Sequence, residues 1–221
     1  MVSWCKVVGN GFRSTKESKI RIRKPNVVHH PWISWSGRRV RFVYTCALLA
    51  TLVLLFHMQS YEAVMRAHHD DQGNTYGILD LEFARTATRV ATILSVWGQT
   101  GQAAARVQTY WDFLFLLGYS TALTLGILSL ISRLSHRRGV YNLGITLAWG
   151  QALAAGLDAV ENVCLLAALD GYVRDWTASV AFYCAAVKFG GVILGLIFVL
   201  LVLPFQWTNP APPSAVPPQA P

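Results

Sequence analysis

Asp158, Glu161 and Asn162 fall within five residues of one another in LAWGQALAAGLDAVENVCLLAAL (147–169), a stretch that is otherwise almost entirely apolar. Positions i, i+3 and i+4 of an α-helix share one face, so these three groups form a single polar stripe. Two more apolar segments each carry an isolated ionisable group: Asp112, with Tyr119 two turns on, and Lys188, shortly after Tyr183. Carboxyls and an amine in such settings support three kinds of chemistry. They can clamp helices together as buried ion pairs, or bind a proton, substrate or ligand as intramembrane ionisable groups do. A carboxylate can also act as general base while a lysine stabilises developing negative charge. The third has the least behind it, because the chain has no G-x-S-x-G, no H-E-x-x-H and no histidine near these positions.

The elements that must position these groups follow from composition. Charged residues make up 14% of the 221, against roughly 25% in soluble domains, and apolar residues 53%. Four segments, about 40–59, 111–132, 142–169 and 178–203, are long and apolar enough to cross a hydrocarbon layer of ~30 Å. The expected fold is an all-α integral membrane protein with four transmembrane helices and an extracytoplasmic amphipathic helix over about 78–97. Pro204 is expected to end the fourth span.

The excess of eight basic charges does not point to nucleic acid. Ten of the nineteen basic residues precede position 42, and Arg133, Arg137 and Arg138 share one loop. That clustering is the signature of cytoplasmic loops and predicts an N-in, C-in topology. Residues 1–39 form a basic cytoplasmic segment, largely disordered, whose charge fixes topology or meets anionic headgroups. Residues 40–203 form the membrane domain, and 204–221 a Pro/Ala-rich disordered tail. A multi-pass protein of the bacterial inner (plasma) membrane is the expected setting.

This topology sets the depth of the polar groups. Asp158 and Glu161 lie ~25 and ~30 Å from the cytoplasmic start of the third span, and Lys188 ~15 Å below the outer surface. Asp112 comes out at a similar level, either as a surface acid near the headgroups or as an inward group joining Glu161. Lys188 can snorkel toward the acids. An outward-facing cluster of Asp112, Asp158, Glu161, Asn162, Lys188, Tyr119 and Tyr183 is therefore expected. Glu82, Arg85 and Arg89 of the amphipathic helix are candidate lid contacts, with either arginine available to an acid that Lys188 leaves uncompensated. Gly191 and Gly195 form a G-x-x-x-G packing pair.

Other features carry less. Cys5, Cys46, Cys164 and Cys184 have no C-x-x-C or Cys/His spacing, so the last three read as small apolar residues between helices. His68-His69-Asp70-Asp71 has metal-ligand residue types, but four ligands in direct succession do not converge easily on one ion, and a solvated loop is the simpler reading. His29–His30 has no partner at ligand spacing. No metal and no cofactor are expected, and no stretch carries a family signature. The function expected is that of a binding or accessory subunit whose partners are membrane lipids, a membrane protein or a second copy of itself. A small oligomeric transporter, or a lipid-modifying enzyme at the outer leaflet, is the alternative.

Overall fold

The computed structural model describes residues 30–35, 37–134 and 137–208, with side chains to position 204. All regular structure among the described residues is helical. A single 3-10 turn (Pro31–Ser34) precedes α1 (Gly37–Arg66), α2 (Ile78–Glu82), α3 (Ala87–Ile131), α4 (Arg138–Leu169) and α5 (Asp175–Thr208). Four of these, α1, α3, α4 and α5, are long and apolar enough to cross a membrane. The tail from 209 and most of the basic N-terminal segment, including His29, lie outside the described residues.

α3, α4 and α5 pack on one another, and α1 lies against α3 alone over most of its length. The α1–α3 crossing is close because Gly118 has no side chain: a Cβ there would come within 2.7 Å of Thr51 Oγ1. Large apolar side chains such as Phe42, Phe56, Leu200 and Leu201 point outward, as a lipid-facing surface requires. Two apolar cores occupy opposite ends of the bundle. One, around Leu81, Ile93, Trp97, Leu165 and Ala181, lies beside α2. The other, around Ile127, Ile131, Ile145 and Phe198, lies toward the loop joining α3 to α4. The polar residues sit between them.

The segment 78–97, read from its periodicity as one helix, is two pieces. α2 stops at Glu82, and α3 starts at Ala87 behind the N-cap Thr86, whose Oγ1 accepts from Arg89 N–H (3.3 Å). Asp175, at the start of α5, accepts the Ala87 N–H at 2.8 Å, so a carboxylate from a distant segment completes the cap. The break turns α2 across the end of the bundle, which a continuous helix could not do. α3 then bends at Gly98, where φ is 56° and ψ −163°, a backbone region open to glycine and strained for other residues. Gln102 Nε2 donates to the Leu94 carbonyl (2.8 Å), one of the acceptors the bend releases. The helical turns that follow begin at the bend, a few residues before Gln102, where the sequence places the start of a long helix whose apolar part is the span from about 111.

α5 also differs from expectation, running through Pro204 to Thr208. Proline removes a single N–H from the ladder and bends a helix without obliging it to stop. The G-x-x-x-G pair does lie at a helix contact: Gly191 faces Ala154 of α4, and Gly195 faces Gln151.

The connection from α1 to α2 is tied by its own side chains. Asp70 accepts from the backbone N–H groups of Gln72 and Asn74, from Asn74 Nδ2 and from the Tyr76 hydroxyl (2.7–3.0 Å). The Asn74 and Tyr76 side chains hold the Asp70 carboxyl well below the usual carboxylate range. Next to it, His68 turns its Nδ1 to the Val64 carbonyl. This acid and this imidazole thus serve the loop itself.

Candidate functional site

Lys188 is the hub. Its Nζ lies 2.6 Å from Asp158 Oδ1 and 3.0 Å from Glu161 Oε1, both hydrogen bonds, and 3.6 Å from Glu82 Oε2, inside ion-pair range but beyond hydrogen-bond reach. The three acids come from two elements, Asp158 and Glu161 one turn apart on α4 and Glu82 at the end of α2. All four residues are nearly inaccessible: Glu161 is 0% exposed, Asp158 2%, Lys188 6% and Glu82 7%. A second layer extends toward α3. The Tyr119 hydroxyl donates to Asp158 Oδ2 (3.0 Å), and Asn162 Nδ2 donates to Asp112 Oδ2 (2.7 Å).

Helical spacing explains why the chain folds this way locally. Asp158, Glu161 and Asn162 occupy one face of α4, which turns toward both α3 and α5. Counted at 1.5 Å per residue, Glu161 and Asp158 lie about 12 and 17 Å from the Leu169 end of α4, and Lys188 about 20 Å from the Asp175 end of α5. The four methylenes of the lysine bridge the difference.

The charges do not balance. Four carboxyls (Glu82, Asp112, Asp158, Glu161) gather near one ammonium, Asp112 half-buried and the other three buried, so full ionisation would leave three uncompensated negative charges. Glu82 and Glu161 both face Lys188 Nζ, at 3.6 and 3.0 Å, so one ammonium serves two carboxyls besides that of Asp158. Burial pushes the Glu82 carboxyl above its ordinary range, and the charge of Lys188 pulls it part of the way back. A proton or an added cation is needed to relieve this excess.

The cluster forms one end of a cavity of about 550 Å³, within the range of small-molecule sites. Glu82, Gln108, Asp112, Tyr119, Asp158 and Lys188 make its polar floor. Leu55 and Met58 of α1 face Phe189 and Val192 of α5 across its apolar part. Because α1 and α5 have no extended contact, the cavity runs between two helices whose outer sides are apolar. Glu62 and Arg66 form its rim. Arg66 Nε donates to Glu62 Oε1 (2.7 Å), and Glu62 Oε2 accepts the Ile78 N–H (3.0 Å), so the rim also caps α2 and holds Glu82 in place.

Six of the seven residues expected to cluster are brought together: Asp112, Tyr119, Asp158, Glu161, Asn162 and Lys188. Asp112 takes the inward of its two expected positions. Tyr183 is not among them. It is 53% exposed, and its hydroxyl accepts from Arg85 Nη2 (3.0 Å) on the outside of α5. The expected lid arginines are likewise elsewhere. Arg85 stacks over the Phe182 and Tyr183 rings, and Arg89 over Tyr76 at 4.6 Å. An exposed guanidinium stacked on an aromatic face keeps its hydration on the other side, which burial against Glu161 would strip away. Glu82, expected only as a lid contact, is instead a buried member of the cluster.

Two glutamines went unread in the sequence. Gln108 (4% exposed) lies on the floor, one turn before Asp112 on the same face of α3. Gln151 (0% exposed) lies two turns before Asp158 and donates to the Gly191 carbonyl (3.1 Å), pinning α4 to α5. Their spacing to the acids was the available signal. Among the described residues no group of three or more His, Cys, Asp or Glu side chains is arranged to hold a metal ion.

Comparison with known proteins finds no matching family, no matching curated protein and no matching solved structure. The reading of the site rests on its own geometry.

Proposed function

We propose that this protein is a binding subunit of the membrane that holds one amphiphilic lipid, its hydrocarbon chain between α1 and α5 and its polar head on the ionisable floor. One observation carries the reading: an apolar cavity between two lipid-facing helices ends on buried charge, the two-sided chemistry of an amphiphile. A pure helix clamp needs the ion pairs but not the cavity.

The proposal includes an orientation. With thirteen basic residues on the side of the N-terminus and the α3–α4 loop, the chain inserts N-in and C-in, as the bias of basic residues supports. The cavity then opens toward the outer leaflet, and α2 with the first turns of α3 lies in the outer interface over it.

The test is lipid retention. Native mass spectrometry of protein released from nonionic detergent should show a single phospholipid per protomer. Val192→Trp, which fills the apolar part of the cavity, should remove that lipid without lowering the unfolding temperature. Equal retention in Val192→Trp would overturn the proposal.

A second reading, a small oligomeric transporter, draws on a different observation, the excess of carboxyls over cations in the cluster. Proton uptake by liposomes carrying the protein, abolished by Glu82→Gln, would favour it over the binding subunit.

A further inference from the structure

The end of the bundle beside the α3–α4 loop holds a second cavity, of about 320 Å³, that shares no residue with the carboxyl cluster. It lies between the 3-10 turn, the first turns of α1 and the last turns of α3. Trp32, Ile33 and Val40 supply an apolar wall, and Arg41 of α1 and Arg133 just beyond α3 line the same space. The wall is held from behind. His30 is buried, its ring 4.8 Å from that of Trp149 on α4 and 5.4 Å from that of Trp32. Trp32 and Ile33 pack against the apolar core around Ile127 and Ile131.

Neither arginine meets an acid. Arg41 Nε donates to the Gly37 carbonyl one turn back (3.3 Å), which leaves both of its Nη groups, and the Arg133 guanidinium has no partner among the described residues. No Asp or Glu occurs in residues 18–61, 113–157 or 176–221, so every long helix reaches this end without an acid to offer. Both arginines are exposed, and a group from outside can reach their N–H donors. Topology calls for basic residues near a helix end, but it does not call for a walled cavity around them. We propose that this cavity seats one anionic phospholipid, its phosphate held by Arg41 and Arg133 and the start of its hydrocarbon against Trp32 and Val40. The site is separate from the central cavity and goes beyond the function proposed for it.

The chemistry selects this occupant. A guanidinium presents paired N–H donors that match two phosphate oxygens. A zwitterionic lipid brings its own cation toward two arginines that already lack counter-charge, so it is disfavoured. A free phosphate finds the same donors but leaves the indole and valine wall in water. With the N-terminus inside, the site faces the cytoplasmic leaflet, whose anionic lipids attract arginines at the membrane surface.

Purified full-length protein in a neutral maltoside detergent is offered phosphatidylglycerol or phosphatidylcholine of the same acyl chains, and separately inorganic phosphate. Binding is read as lipid added above what the protein carries through purification, by native mass spectrometry, and as the shift in unfolding temperature. Phosphatidylglycerol should be preferred, and Arg41→Gln or Arg133→Gln should each weaken its binding about fivefold. Arg138→Gln removes an exposed charge at the same end but outside the cavity, and should leave binding unchanged. Ser129→Trp fills the cavity from an exposed position with both arginines intact, and should abolish the added lipid. The arginine variants decide the matter even if that tryptophan unfolds the protein. The preference should persist in Val192→Trp, whose central cavity is filled, so either site can fail without the other. Equal binding of the two lipids, or equal weakening by Arg138→Gln and Arg133→Gln, would overturn the proposal in favour of diffuse surface charge. Stabilisation by inorganic phosphate as large as that by phosphatidylglycerol would overturn the lipid as occupant and identify a soluble anion.

Discussion

Lys188 Nζ and Asp158 Oδ1, 2.6 Å apart, join α5 to α4 in the middle of the bundle, with Tyr119 of α3 holding the other oxygen of the same carboxylate. One carboxylate thus receives a donor from each neighbouring helix. That arrangement orders three helices around one point, and it makes Lys188 the residue whose loss should be felt most.

Lys188→Met leaves Asp158, Glu161 and Glu82 buried together without a cation. Loss of one partner from a buried pair costs about 3–5 kcal/mol, so unfolding in detergent should occur at a markedly lower denaturant concentration. Adding Asp158→Leu should recover only part of this loss, because Lys188 also faces Glu161 and Glu82. Recovery should be nearly complete when Glu161→Leu is added as well. Unchanged stability in the single variant would show that the ion pairs contribute nothing to packing.

Tyr119→Phe removes one donor from Asp158 and leaves the lysine in place. A buried acceptor that loses one of two donors costs about 1–3 kcal/mol. The same unfolding assay should show a smaller loss than Lys188→Met. Combining the two should be non-additive, since both act through one carboxylate. Strict additivity would mean that the hydroxyl does not serve Asp158.

Much of this was legible in the sequence. The lengths of the apolar segments mark four helices capable of crossing a membrane, and the spacing of Asp158, Glu161 and Asn162 fixes a common face before any fold is known. Asp112 and Lys188 are conspicuous because isolated charges in apolar helices need partners. Glu82 was harder. In a segment with mixed charge it looks like one more solvated acid. It is buried because the chain breaks between Phe83 and Thr86 and turns α2 inward, and that break depends on a cap supplied by Asp175, almost ninety residues away. Tyr183 misled for the complementary reason. Proximity to Lys188 in sequence placed it on another face of α5, where Arg85 holds it.

Gly98→Ala tests the bend that separates the two parts of α3. At φ 56° and ψ −163° an L side chain is strained, and such positions cost of order 1–3 kcal/mol. The variant should unfold earlier, and cysteine labels on Ile78 and Val192 should report a changed separation by electron paramagnetic resonance as α2 is displaced. Unaltered distance and stability together would indicate that the backbone relaxes at no cost, and that the bend does not position Glu82.

Glu82 gives the pH dependence. Its carboxyl is raised above the ordinary 4.5 mainly by burial, so the folded protein binds its proton more tightly than the unfolded chain does. Between the ordinary value and the raised one, the native state carries more protons than the unfolded state, and stability falls as pH rises. The contribution is present in full below the unfolded pKa and is lost as pH climbs through the folded one. Glu82→Gln keeps the shape and removes the titration. Unfolding temperature plotted against pH from about 4 upward should fall less steeply in the variant than in the parent, with the two curves converging at the acid end, where Glu82 is protonated in both states. A parent curve that rises with pH over this window would mean that Lys188 outweighs burial at Glu82 and holds it ionised. In that case Glu82→Gln should destabilise the protein most at the alkaline end, by removing a charged partner of the lysine.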